Sequence, residues 1–122
     1  MPLNKSLYRP LSLLYYFIIS ADGVVLNEER KLYERAFAKF FDINRTVASE
    51  LLSEAKEALS SIYSISEIAT HIKPLLNYKE RVQVMVSLWE ISVSDGLLDV
   101  VEYRYLKILA RHLEINSEDI RK

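Results

Sequence analysis

At 122 residues, half of them hydrophobic and 27% charged, the chain suits one globular domain with its own hydrophobic core and does not read as disordered. Its 16 basic and 17 acidic residues are interspersed and leave a formal net charge of −1; without a basic stripe to neutralise phosphates, nucleic acid is excluded as an expected partner. Cysteine is absent, which removes disulfides, thiol chemistry and cysteine zinc sites and fits a cytoplasmic location.

Two glycines and three prolines leave little material for the turns of an all-β fold, so helices are expected from the start. Residues 11–21 are apolar apart from Ser12 and Ser20 and follow Lys5 and Arg9, a pattern close to a signal peptide. The stretch is too short for a bilayer, which needs about 20 apolar residues, so no integral membrane span is expected. Cleavage there would also cut through the repeat described below, and a buried helix is the better reading. Next, Leu32, Tyr33, Ala36, Phe37, Phe40 and Phe41 line one helical face, with Asn27 placed to cap it. Val47, Leu51, Leu52, Ala55, Leu59 and Ile62 form a further stripe, with Glu50, Glu54, Lys56 and Glu57 mostly on its wet side. A short helix is expected after Ser64, with Glu67 in capping-box position, ending near Pro74. Asn77 and Glu80 repeat that signature ahead of a helix over 78–94, which is apolar almost all round. Such a helix belongs at the centre of a fold or in an oligomer interface. Finally, Val101, Tyr105, Ile108, Leu109, His112 and Leu113 mark a last helix, for which Asp99 and Glu102 form a capping box.

Both glycines follow aspartate, as Asp22-Gly23 and Asp95-Gly96, and seven residues after each aspartate stands a glutamate, Glu29 and Glu102. The two patterns lie 73 positions apart, and at the same offset Ile18 matches Ile91 and Tyr16 matches Trp89. After Phe40 and Leu113 the match slips by one residue, pairing Ile43-Asn44 with Ile115-Asn116. These matches predict an internal helix–loop–helix repeat over about 14–43 and 87–115. The expected fold is all-α: one compact domain over 1–122, a bundle of about six or seven helices with two equivalent central ones. Each glycine sits where the preceding helix would end in a left-handed conformation.

The segments Ile19-Ser-Ala-Asp-Gly with Glu29, and Leu88-Trp-Glu-Ile-Ser-Val-Ser-Asp-Gly-Leu-Leu-Asp with Glu102, resemble the TerB-like family, named for a bacterial tellurite-resistance protein. Tyr78-Lys-Glu-Arg81 resembles that family's linker, and the resemblance covers about 14–120. It implies an all-helical fold, a role in stress response and an acidic cluster able to take a divalent metal.

The Asp-Gly-(five)-Glu spacing equals the second half of an EF-hand calcium loop, where glycine makes the sharp turn and glutamate binds bidentately. The first half is missing: Ile18 and Ser20 in one copy, Ile91 and Val93 in the other, stand where ligands would be. Two readings stay open. In one, each Asp-Gly ends a helix and each glutamate places negative charge at the next helix's N-terminus. In the other, Asp22, Glu29, Asp95, Asp99 and Glu102 share an acidic surface that takes calcium or magnesium weakly.

His71 and His112 lack the i, i+4 partner of a helical metal pair, and His112 is expected to interact with the carbonyl end of its helix. Ser53-Glu-Ala-Lys56 has the letters of a nucleophile motif but lies mid-helix without its companions. Of the eight tyrosines, most are expected as core rings with wet hydroxyls. No catalytic constellation is present, so the expectation is a non-enzymatic module acting on a protein partner. The alternative is a purely structural or self-associating helical unit, and its two apolar helices predict a homodimer.

Overall fold

The computed structural model describes residues 5–20, 27–59, 64–93, 100–116 and 118, with backbone alone at 5, 93 and 100–102. A 3-10 turn, Lys5–Leu7, leads into α1 (Tyr8–Ile19), followed by α2 (Asn27–Phe41), α3 (Arg45–Ala58), α4 (Ile65–Ile72), α5 (Tyr78–Val93) and α6 (Val100–His112). Among the described residues there is no strand, and the expected all-α bundle is the fold. Helix α1 starts three residues earlier than the apolar run suggests. Pro10 falls in its first turn, where a missing N–H removes no intrahelical bond.

The caps behave largely as their chemistry requires. Ser64 Oγ accepts from the Glu67 amide at 3.1 Å. Asn77 and Glu80 form the full reciprocal box, Asn77 Oδ1 accepting from the Glu80 amide at 2.8 Å and Glu80 Oε1 from the Asn77 amide at 2.9 Å. Asn44 caps α3 by accepting from the Val47 amide at 2.9 Å. Helix α2 begins with Asn27 itself. Gly23, Gly96, Asp99 and Ile62 lie outside the described residues.

Helices α2 and α6 end in one and the same way. Asp42 has φ 57° and Glu114 φ 54°. The Ile43 amide bonds the Ala38 carbonyl and Asp42 that of Lys39; Ile115 bonds Ala110 and Glu114 bonds Arg111. Each is a Schellman motif with a non-glycine residue in the left-handed position. Across the second of these ends, Lys73 pairs with Glu114, and this bond, with the charge behind it, holds the Glu114 carboxyl below its ordinary range.

The core gathers one stripe from each helix: Tyr33, Phe37, Ala38 and Phe41 from α2; Ala48, Leu51, Leu52 and Ala55 from α3; Ile65, Ile68, Ala69 and Ile72 from α4; Leu106 and Leu109 from α6. Helix α1 is buried on most sides and packs against α2, α3, α4 and α6. Ring edges lock the α1–α2 contact, with Tyr15 and Phe37 centroids 5.1 Å apart at 89°. The expected equivalence of two central helices is corrected here: α5 rests chiefly on α2 and α6. Its Val84, Met85, Leu88 and Ile91 are buried, while Val82, Val86 and Trp89 are only half-buried. Being apolar all round is therefore not enough to make a helix central; α1 fills the middle, and α5 keeps one side toward the surface.

Candidate functional site

The five acidic residues singled out by sequence lie in or beside the chain segments between α1 and α2 and between α5 and α6. Glu29 is the third residue of α2, on its first turn and half-buried. Glu102 is the third residue of α6, so both glutamates hold the same position on their helices. The Glu102 side chain, and Asp22, Asp95 and Asp99 altogether, lie outside the described residues. Among the described residues no group of three or more His, Cys, Asp or Glu side chains is arranged to hold a metal ion.

The helices flanking these connections touch reciprocally. Phe17, near the end of α1, packs edge-on against Tyr105 of α6, with centroids 5.0 Å apart. Ser92, near the end of α5, shares a buried 3.3 Å hydrogen bond with the Tyr33 hydroxyl of α2. Each helix that enters a connection thus leans on the helix that leaves the other one. A second hydroxyl pair ties the same halves together, Tyr15 donating to Ser87 Oγ at 2.8 Å. The hydroxyls of Tyr15 and Tyr33 meet serine where water was expected, because both side chains are buried at 0% and 2% exposure.

Other polar residues join helices. Arg30 Nε donates to Glu34 at 2.9 Å, and its Nη2 donates to the Ser49 carbonyl at 3.0 Å and to Ser53 Oγ at 2.7 Å, fastening α2 to α3. Ser53, from the Ser-x-x-Lys letters, thus accepts a hydrogen bond from Arg30. The i, i+4 spacing of Arg30 and Glu34 is a signal for their ion pair that the sequence does carry; the reach to Ser49 and Ser53 is not. His112 is the last residue of α6, and its Nε2 bonds Ser66 Oγ on α4 at 2.9 Å, so the ring serves a contact between helices. No helix among the described residues is long and apolar enough to cross a membrane.

Fold and site together define an all-helical domain held in part by polar side chains that reach from one helix to another, with Glu28 and Glu29 on the first turn of α2. Residues 11–122, nearly the whole chain, match the family described as Tellurite resistance protein TerB, and the chain belongs to that family. No curated protein and no solved structure matches it significantly.

Proposed function

We propose that this TerB-family chain acts by binding rather than by catalysis, as a cytoplasmic protein-interaction module of the stress-response kind. Its two acidic connections take a divalent cation, calcium or magnesium, weakly. The chain is one domain over 1–122, built from two helix–loop–helix units over about 14–43 and 87–115. The observation that carries this reading is the common register of Glu29 and Glu102, each the third residue of its helix. Each Asp-Gly-(five)-Glu pattern therefore ends on a first helical turn. The matching Schellman ends at Asp42 and Glu114 support two equivalent units.

The reciprocal contacts Phe17–Tyr105 and Tyr33–Ser92 support a shared side of the bundle for the two connections. Asp22, Glu29, Asp95, Asp99 and Glu102 would then form one acidic surface. Crowded carboxylates repel, and a hard cation relieves that repulsion while keeping several waters. Lacking the first half of a calcium loop, the site should bind on the order of millimolar.

The test is a titration of calcium and of magnesium into the full chain, following backbone amide shifts. The expected result is shifts confined to 22–29 and 95–102 and lost in Asp22→Asn/Asp95→Asn. Uniform small shifts over all surface acids up to about tens of millimolar would leave Glu29 and Glu102 with only a helix-capping role. The second reading, a self-associating unit without metal, is favoured by the half-buried outer side of α5.

A further inference from the structure

Helix α5 has two apolar sides. Val84, Met85, Leu88 and Ile91 enter the core of their own chain. Turned away from these, Val82, Val86 and Trp89, the last still packed on the edge of the core, follow one another at intervals of four and three residues, the spacing of a coiled-coil seam. All three are half-buried. Among the described residues, Val82 and Val86 belong neither to the core nor to the hydrophobic side chains packed on it. The Trp89 ring lies 5.6 Å from that of Tyr103, itself 40% exposed, and the pair extends the apolar strip onto α6. Paired aromatics beside aliphatic side chains are the composition of an interface core.

The charges beside this strip specify its occupant. Lys79 stands near the start of α5 and Glu90 near its end, both exposed and about 16 Å apart along the helix. Two copies of α5 laid antiparallel about a twofold between Val82 and Val86 bring each Lys79 alongside Glu90 of the partner subunit. A parallel arrangement sets like charge against like. The face is thus complementary to itself in one orientation, as a symmetric dimer requires.

We propose that α5 is the interface of an antiparallel homodimer, with Val82, Val86 and Trp89 as its apolar seam and Lys79 and Glu90 fixing its direction. The dimer stands whether or not the acidic connections bind a cation, since it uses none of their residues.

Light scattering on the full chain, from micromolar to hundreds of micromolar, should give a mass rising toward twice the 14.2 kDa of one chain. Val86→Arg, which sets a charge within the seam, should hold the mass at that of the monomer with an unchanged far-ultraviolet dichroism spectrum. Lys79→Glu and Glu90→Lys alter exposed positions that folding tolerates, so they keep the test open should Val86→Arg unfold the chain. Each alone should weaken association by roughly tenfold, two contacts being lost by symmetry and replaced by repulsion. The double variant Lys79→Glu/Glu90→Lys should return association close to that of the parent. A parent chain that stays monomeric throughout overturns the proposal and leaves the face to a different protein. A dimer that persists in a folded Val86→Arg chain overturns it too, as does a double variant no better than the single ones.

Discussion

The Tyr15 hydroxyl donates to Ser87 Oγ at 2.8 Å across 72 positions of sequence, in a place where the tyrosine is wholly buried. Because Tyr15 also packs edge-on against Phe37 and Tyr33, the ring is fixed by apolar contacts and the hydroxyl by one partner. Tyr15→Phe keeps the ring and removes the bond, and should cost about 1 kcal/mol. In a double-mutant cycle with Ser87→Ala, urea unfolding should give a smaller loss for the pair than the sum of the two single losses.

The same burial makes stability fall in alkali. Loss of solvation disfavours the tyrosinate and raises the Tyr15 pKa, and the Ser87 bond opposes this only in part. With the folded pKa above the unfolded one, the folded chain holds its proton longer. The contribution is intact below the ordinary tyrosine value of about 10 and is lost as pH rises from there toward the higher folded value. Unfolding free energy measured across that range should therefore decline, and more gently in Tyr15→Phe.

Asn77→Ala breaks one bond of the reciprocal box at the start of α5 and leaves the Glu80 amide without its cap. The expected loss is about 1 kcal/mol in chemical denaturation. Glu80→Ala removes the other bond, to the Asn77 amide, and should cost less, since that amide is exposed to water.

Asp42 holds a left-handed conformation that glycine adopts without penalty. Asp42→Gly should raise stability by about 0.5–1 kcal/mol, the relief of backbone strain exceeding the added entropy of the unfolded chain. A lower melting temperature in this variant would mean that the aspartate side chain itself supports the end of α2.

Much of the helical layout was legible in the sequence. The periodic stripes of Tyr33, Phe37 and Phe41, or of Leu51, Leu52 and Ala55, depend only on the 3.6-residue turn, and they are buried as that turn requires. The caps at Ser64 and Asn77 were equally legible, because a cap is a contact between residues three apart. The repeat spacing, the Asp-Gly pattern and the TerB resemblance were likewise matters of sequence alone. The Schellman ends were not, since Asp42 and Glu114 lack the usual glycine and only the backbone reveals their left-handed turn. Nor could spacing reveal that Tyr15 meets Ser87, that His112 reaches Ser66, or that Arg30 grips Ser49 and Ser53. Those bonds join positions from 19 to 72 apart, and their geometry exists only once the helices have packed. The sharpest case is the unequal standing of α1 and α5. Hydrophobicity assigns both to the interior, but one bundle has one centre, and helix packing gives it to α1.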